Sequence, residues 1–390
     1  MNILVLATKA PWPPVDGGRL LLAHTLEGLA AAGHRVTLVA PVDPSRFDLA
    51  RVAAELSAWC VPRLVPAAPV RPAAALLGAV LERVPPSIAR HSLAAVRREV
   101  EYLLAAGRFD LVHAEQLQAL PQAAPAVARG LPVVLRAQNV ESDLWVAAAQ
   151  RRGGLRGMAL AAEGRRLARW EGGAVRRAAA TLALTEEDAT RLRELAGGGG
   201  RVHVVRAPFP DLPPGPSRLP GEPAVVVMGS RGWLPNEDSA AWFVAEVWPA
   251  VRAALPGAVL HLFGTSPPFP VPGVTVHPPP EESGVAFAPG SILAVPLRIA
   301  SGVRMKALEA WARGVPVVGT PAALAGLEAR GEEALAASDG PEFARVLTRL
   351  YTEPGLVEAV VAAGRQARRE RHDPARVAAE LVAFYAEAIQ

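Results

Sequence analysis

The sequence predicts an α/β protein built from two doubly wound halves. Short apolar runs alternate with helical patterns along the chain, and a proline-rich stretch interrupts this alternation near the middle. The chain of 390 residues also exceeds the size at which one hydrophobic core usually keeps growing. We therefore expect two parallel-sheet domains in tandem. A (β/α)8 barrel is the alternative, and the proline-rich break argues against it.

The first half opens with a β-α-β unit. Residues 2–7 (NILVLA) are apolar and bounded by a turn, as buried parallel strands are. Apolar residues at helical spacing follow as far as Gly33, and RVTLVAP at 35–41 predicts the second strand. Such a crossover is right-handed and belongs to a doubly wound sheet. Later segments of the same kind are 108–115, 131–139, 180–188 (a strand leading into a helix) and 201–208.

The second half repeats the pattern after a linker. Residues 209–223 contain six prolines and two glycines, which suit neither a helix nor a central strand. Strands are then predicted at 224–230, 258–264, 273–277, 291–297 and 314–320, with helices over 239–255, from about Val303, and over 374–390. The expected organisation is a first domain at 1–208, a linker at 209–223, a second domain at 224–372 and a C-terminal helix at 373–390 that crosses back to the first domain.

Composition excludes several classes of function. The formal net charge is only +4, and no block of basic residues is longer than a doublet, so nucleic acid is not an expected partner. The single cysteine, Cys60, excludes an internal disulfide and a cysteine-based zinc cluster, which fits a cytoplasmic setting. The apolar run at 3–7 is too short for a signal peptide, and the uncharged core of 72–84 is about half of the roughly 20 residues that a membrane span needs.

The strongest chemical signal is SGVRMKALE at 301–309. A predicted strand ends just before it, a glycine turn follows, and a helix begins, which is where open α/β sheets bind ligands. The free N–H groups at a helix start favour phosphate, and Arg304 and Lys306 add full positive charge. Lys9 and Lys306 are the only lysines among 41 basic residues. The simpler alternative is an ordinary helix start with Lys306 and Glu309 as a surface pair.

The stretch at 300–327 (ASGVRMKALEAWARGVPVVGTPAALAGL) resembles the donor-binding signature of retaining glycosyltransferases of family 4. It is closest to the polysaccharide-biosynthesis branch whose signature reads Gly-Gly-Gly-Thr-Arg-Leu-Lys-x-Leu-Glu-Ala. Segments 10–41, 135–145 and 229–264 resemble other motifs of that branch. The resemblance implies the GT-B fold, in which two tandem doubly wound Rossmann-like domains face each other across a cleft.

The resemblance also assigns residues on the donor side. It makes Arg304 and Lys306 the catalytic cations that stabilise a leaving diphosphate, and Glu309 the acceptor of hydrogen bonds from ribose. Ser301 stands where many members carry a glutamate. The resemblance therefore implies that backbone N–H groups near Gly302 and Val303 contact the donor sugar instead. The loop after the strand at 224–230 adds Gly229 and Arg231, although a tight turn is the alternative there.

On the acceptor side the resemblance points to two loops and a strand end. Gly17 and Gly18 lie in the first strand–helix loop, where an ordinary glycine turn is the alternative. Asn139, Glu141 and Gln138 follow a later strand. Gln138 replaces a histidine that is common in the branch, and a glutamine can hydrogen-bond a sugar hydroxyl but cannot exchange its proton. His113 is a further candidate, with a structural histidine as the alternative.

The function that this implies is a retaining, metal-independent transfer of a hexose from a nucleoside-diphosphate sugar. No cofactor or metal is expected. The acceptor would be a saccharide, a lipid-linked molecule or a small molecule in cell-envelope, exopolysaccharide or glycoconjugate synthesis. Residues 72–98 have two interpretations, namely peripheral contact with the inner face of a membrane and an ordinary helix of the first domain. The alternative functions are a non-catalytic sugar-nucleotide-binding partner and another GT-B enzyme, such as a sugar-nucleotide epimerase.

Overall fold

A computed structural model describes residues 1–229, 234–267, 269–280, 282–298 and 302–390, and the side chains of Arg151, Leu234, Pro235 and Glu237 lie outside the description. Contacts divide these residues into two compact units. Unit 1 contains 1–208, 302–303 and 374–390, whereas unit 2 contains 209–298 and 304–373 in its described residues.

Unit 1 is built on a seven-stranded, fully parallel sheet with the strand order β3-β2-β1-β4-β5-β6-β7. Its strands are β1 Asn2–Leu6, β2 Arg35–Val42, β3 Val61–Pro66, β4 Leu111–Glu115, β5 Val133–Ala137, β6 Ala180–Ala183 and β7 Val202–Val204. Its helices before unit 2 are α1 Gly17–Ala31, α2 Leu49–Leu56, α3 Pro72–Glu82, α4 Pro86–Ala89, α5 Ala94–Ala106, α6 Ala124–Val127, α7 Glu141–Arg152, α8 Gly154–Arg177 and α9 Glu186–Leu195, with a 3₁₀ helix at Leu117–Ala123.

Helices cover both faces of this sheet, because successive side chains of a strand point to opposite faces. In β1, Ile3 and Val5 pack with α1, whereas Leu4 and Leu6 pack with Val96 of α5. Strands that are buried on both faces read as continuous apolar runs, which is why the sequence predicts them well.

Unit 2 is built on a six-stranded parallel sheet with the order β10-β9-β8-β11-β12-β13. Its strands are β8 Ala224–Met228, β9 Val259–Phe263, β10 Val274–His277, β11 Ser291–Val295, β12 Val317–Gly319 and β13 Leu335–Ala336. Its helices are α10 Leu234–Trp242, α11 Trp248–Ala254, α12 Met305–Arg313, α13 Pro321–Ala325, α14 Gly340–Thr352 and α15 Leu356–Arg371. A π-helical segment at Phe243–Val247 joins α10 to α11, and 3₁₀ helices lie at Ser283–Ala286 and Gly331–Glu333.

The last helix, α16 at Pro374–Ile389, belongs by its contacts to unit 1. Its buried residues Val377, Leu381 and Tyr385 join the core cluster that contains α1 and β1. The tail therefore completes one face of the first sheet.

The prediction of doubly wound α/β architecture is confirmed, with differences in detail. The helix predicted over 239–255 begins at Leu234 and contains the π-helical segment, which apolar periodicity does not reveal. The sequence prediction missed β3, whose PRLVP run has two prolines, and the two-residue β13. Residues 209–223 form no helix or strand, yet their contacts make them part of unit 2. The Phe209 carbonyl accepts from Arg368 at 2.8 Å and the Pro213 carbonyl accepts from Arg313 at 2.8 Å.

Candidate active site

In unit 2 the order of strand connection reverses between β8 and β11, because β9 lies on one side of β8 and β11 on the other. Open α/β sheets bind ligands at the carboxyl end of the strands at such a switch point. Lys306, in the first turn of α12, lies there, since its Nζ donates to the carbonyl of Met228, the last residue of β8, at 2.6 Å. Gly229 follows directly on β8. The structure thus brings Lys306 and Gly229 to the edge where sequence reasoning expects a ligand.

Lys306 is an unusual cation electrostatically. Burial, with a further contribution from the adjacent Arg304, lowers its pKa from 10.5 to about 8. Among the described residues, no carboxylate forms an ion pair with its ammonium group. A desolvated ammonium beside a second cation is costly unless an anion is bound, so the arrangement suits a negatively charged ligand.

Glu309 lies one turn further along α12, with only 4 % of its surface exposed. Its Oε1 accepts a hydrogen bond from the Ser283 hydroxyl and one from Arg313 Nε at 2.9 Å. Arg313 is four residues away on the same helix, so the pair fixes the carboxylate in place. A carboxylate offers about four lone-pair sites, and Glu309 therefore keeps capacity for further donors.

Around Gly229 the backbone packs closely, because a Cβ added there would lie 3.3 Å from Asn236 and Thr265. Arg231 and Ser301, both predicted at the donor site, lie outside the described residues. Gly302 and Val303 group with unit 1 instead of unit 2.

Gly302 has a left-handed backbone with φ +71°, and its N–H donates to the Asp188 carboxylate at 3.0 Å. A Cβ at this position would collide with the Gln138 carbonyl and the Asn139 side chain. Only glycine accommodates both the conformation and the close approach.

In unit 1 the corresponding switch point lies between β1 and β4. Glu115, the last residue of β4, is the centre of a buried polar network there. Its carboxylate accepts from Arg136 Nε at 2.9 Å and contacts His113 Nε2 at 3.1 Å. Arg136 also donates to the Thr25 hydroxyl at 2.8 Å, and His113 Nδ1 lies 2.6 Å from the Tyr385 hydroxyl of α16.

This network fixes protonation states. Although burial opposes ionisation, Arg136 and His113 lower the pKa of Glu115 to about 2. Burial lowers the pKa of His113 despite its contact with Glu115, which favours the neutral imidazole. His113 is only 1 % exposed, and both of its ring nitrogens have partners in the network. The structure thus places this predicted residue within the unit 1 core.

Gln138 connects the network to the sheet edge. Its Nε2 donates to Glu115 at 2.8 Å, and its Oε1 accepts from Gln116 at 2.8 Å. Gln116 in turn accepts from the Thr8 hydroxyl at 2.6 Å. Gly18 packs against this chain of amides, because a Cβ at Gly18 would lie 2.7 Å from Gln138 Oε1. The structure therefore brings together Gly18 and Gln138, which the sequence placed in separate motifs, whereas Gly17 is exposed at the start of α1.

Glu141 begins α7 and forms side-chain hydrogen bonds with Asn139 and Gln118. Burial raises the pKa of Glu141 above its usual value, despite these two hydrogen bonds. The backbone N–H of Glu141 donates to the buried Glu171 of α8 at 2.9 Å. Burial also raises the pKa of Glu171, to about 7.

Sequence reasoning missed Arg136 and Tyr385 and did not include Glu115 in the site. An arginine inside the apolar run VVLRA and a glutamate ending LVHAE were the available signals, because an isolated charge in a buried strand needs a partner. Nothing local in the sequence indicates that Tyr385 pairs with a residue 272 positions away.

A cavity of about 520 Å³ lies in unit 1 at the same edge as Thr8 and Gln116. Four basic side chains line it, namely Lys9, Arg19, Arg46 and Arg90, together with the aromatic rings of Trp12 and Phe47. Across the described residues, none of the helices combines the length and the apolarity that a membrane span needs.

Comparison with known proteins gives two family matches that together cover most of the chain. The family described as Glycosyltransferase Family 4 matches residues 15–210, and the family described as Glycosyl transferases group 1 matches residues 222–353. None of the curated proteins that were compared matches this sequence.

Several solved structures share the fold at low sequence identity. A sucrose-phosphate synthase from Thermosynechococcus elongatus is 16 % identical with a TM-score of 0.71, over 99 % of this chain and 98 % of that chain. HepE from Anabaena, in complex with UDP-glucose, is 14 % identical with a TM-score of 0.63, over 99 % of both chains. A glycosyltransferase from Rickettsia africae is 10 % identical with a TM-score of 0.64, over 100 % of this chain and 98 % of that chain. These likenesses agree with the GT-B fold that the sequence predicts.

Proposed function

Since the chain belongs to glycosyltransferase family 4, we propose that it transfers a hexose from a nucleoside-diphosphate sugar to a hydroxyl acceptor with retention of the anomeric configuration. The observation that carries the donor assignment is the position of Lys306 at the switch point of unit 2. We further propose a role in cell-envelope, exopolysaccharide or glycoconjugate synthesis in the cytoplasm, on the strength of the sequence resemblance alone.

In the proposed donor complex the diphosphate lies at the start of α12. The first N–H groups of a helix have no intrahelical acceptor and point towards the ligand. Lys306 and Arg304 add full positive charge on the same turn. Glu309, held by Arg313 and Ser283, binds the ribose hydroxyls.

These groups act when the glycosidic bond breaks. The bonding electrons pass to the diphosphate oxygen, and the cations stabilise the negative charge that develops there. The acceptor hydroxyl forms its bond to the anomeric carbon on the same face, and its proton passes to the departing diphosphate. This route needs no enzyme nucleophile. We propose that it also needs no metal, because the two side-chain cations supply the charge.

The choice of nucleotide has one line of support. Structures of Anabaena HepE contain UDP-glucose, UDP with glucose, and UDP. At 13–14 % identity this makes UDP the first nucleotide to test for the present chain.

A thermal-shift screen against UDP, GDP, ADP and TDP tests the donor site. A nucleotide at a hundred times its Kd stabilises the folded state by about 2.7 kcal/mol. We expect one nucleotide to raise Tm clearly in the wild type and much less in Lys306→Ala and Glu309→Gln. Arg345→Ala, an exposed change on α14, is the control and should respond like the wild type. Equal stabilisation of all four proteins would reject the proposed site.

Transfer itself needs a second measurement. The donor that matches the selected nucleotide is incubated with saccharide and lipid-linked acceptors, and NMR of the product reads its anomeric configuration. Retention supports the proposed mechanism and inversion rejects it. Nucleotide binding without transfer to any acceptor would instead favour the non-catalytic partner.

A further inference from the structure

The 520 Å³ cavity of unit 1 is lined by more positive than negative charge. Four cations line it, Lys9, Arg19, Arg46 and Arg90, whereas Asp43 is the lining carboxylate. Asp16 stands next to the lining and pairs with Lys9 at 2.8 Å and with Arg19 at 3.4 Å. Counting both carboxylates, four positive charges face two negative ones.

Two of these cations, Arg46 and Arg90, form no direct ion pair with a described residue, and both are exposed to the cavity solvent. Hydrogen bonds from Ser45 lower the pKa of the Asp43 carboxyl and the charge of Arg46 lowers it further, so Asp43 balances part of the charge of Arg46. They are also close enough to influence their neighbours. Burial first, and then Arg90 and Lys9, lower the pKa of His91 to about 4, so this lining imidazole adds no charge at pH 7.

The repulsion within the cluster is visible at Arg19 as well. Burial lowers its pKa, Asp16 raises it, and Arg46 lowers it again. Four cations around one concave surface with only two carboxylates indicate an anion-binding site, because a bound oxyanion reduces this repulsion.

The cavity also has a preformed apolar wall. The Phe47 ring lies 5.3 Å from the Arg19 guanidinium, and the Trp12 ring lies 5.1 Å from that of Arg51. These cation–π contacts hold the rings in place. Sugar rings pack on such faces, while guanidinium groups bind phosphate oxygens in pairs. The volume lies within the range of about 300–1,000 Å³ that is typical of small-molecule sites.

We propose that this cavity binds an acceptor that carries a phosphate group, with Arg46 and Arg90 as the principal phosphate ligands and Trp12 and Phe47 against the body of the acceptor. The identification of the ligand as an acceptor rests on the proposed function, whereas the phosphate site itself does not depend on that function. The donor diphosphate is assigned to unit 2, so the cavity is a second, separate phosphate site. The phosphate can belong to a soluble sugar phosphate or to a lipid headgroup.

Calorimetric titration tests the site without any donor. Glucose 6-phosphate is the probe, and glucose is its uncharged match. We expect the phosphorylated sugar to bind and each of Arg46→Ala and Arg90→Ala to weaken binding at least about tenfold, because each removes one charge-assisted contact with the phosphate. Arg98→Ala, an exposed change on α5 outside the cavity, is the matched control. All three arginines are exposed, so the variants should fold.

Sedimentation with vesicles distinguishes the lipid source. Phosphatidylcholine vesicles with and without phosphatidic acid are compared, again with the three variants. Binding in either experiment that both cavity variants weaken, and Arg98→Ala does not, supports the proposal. No phosphate-dependent binding in either experiment, or equal binding by all variants, overturns it.

Lys306→Ala separates this result from the donor site. Phosphate binding that survives Lys306→Ala belongs to unit 1, and phosphate binding that Lys306→Ala abolishes belongs to the donor site and overturns the inference. A failed nucleotide screen with intact phosphate binding would reject the proposed donor site alone.

Discussion

The two lysines of this chain lie at the carboxyl edges of two different sheets, and their environments are opposite. Lys9 in unit 1 pairs with both oxygens of Asp16 at 2.8 Å and is 38 % exposed. Lys306 in unit 2 donates to a backbone carbonyl beside Arg304 and has a pKa lowered to about 8. The charge of Lys9 is thus balanced within the protein, whereas that of Lys306 is best balanced by a ligand.

The surroundings of the two lysines differ in the same way. The edge of unit 1 is a closed set of polar contacts that runs from Tyr385 through Glu115 to Thr8, in which each member restrains the next. Such networks fix geometry. The edge of unit 2 concentrates positive charge at a helix start instead. We infer that the buried network at the first edge preserves the shape of that edge, whereas the helix start at the second edge binds and stabilises negative charge directly.

The largest expected effect is that of Lys306→Ala on turnover. Removing one preorganised donor that stabilises transition-state charge typically lowers kcat by about 10²–10³. We expect this decrease in the rate at which nucleoside diphosphate is released from the donor. The rate is measured without acceptor, as slow hydrolysis of the donor. Arg345→Ala should release product at the wild-type rate. If Lys306→Ala also releases it at that rate, the contrast between the two lysines has no catalytic meaning.

The next effect concerns the rigid edge of unit 1. Gly18→Ala would place a Cβ 2.7 Å from Gln138 Oε1, which Gln116 holds in place. Overpacking costs about 1–3 kcal/mol, which exceeds the roughly 0.5–1 kcal/mol that alanine gains over glycine in a helix. Chemical denaturation should therefore show a less stable protein.

Gly78→Ala in α3 is the matched control for that change. A Cβ at Gly78 meets only Ala89, at an ordinary 3.7 Å, so this variant should keep the helix gain and become slightly more stable. Stabilisation of both variants would mean that the side chains of Gln138 and Gln116 move aside at little cost. The description of this edge as rigid would then be wrong.

The smallest effect is a pH dependence of nucleotide binding. Because the Lys306 pKa is about 8 in the folded protein and a bound diphosphate favours the ammonium form, binding should take up a proton near pH 8. As far as Lys306 is concerned, the affinity for nucleotide should not change with pH below pH 8. Above pH 8 it should fall by at most about tenfold per pH unit.

Calorimetry at pH 8.5 in two buffers of different ionisation enthalpy measures the proton uptake. Lys306→Arg keeps the positive charge without titrating in this range, so it should bind nucleotide with little proton uptake. The same uptake in wild type and Lys306→Arg would assign the proton to another group.

The sequence was informative about unit 2 for a local reason. Arg304, Lys306 and Glu309 lie within six positions, so one helix start brings their chemistry together and a short motif reveals it. The residues of unit 1 are scattered. Glu115, Arg136 and Tyr385 come from two strands and the final helix, and their contacts depend on the register of β4 against β5 and on where α16 packs.

The sequence by itself determined the doubly wound pattern, the two halves and the position of the motif that we propose binds the donor, because apolar periodicity and helix-start chemistry are local properties of the chain. Only the tertiary structure decided that Lys306 reaches the end of β8, that His113 is buried between Glu115 and Tyr385, and that four cations converge on one cavity. Charge and burial at those points depend on residues far apart in the sequence. The electrostatic and burial energies at these points therefore arise only once the sheets have formed.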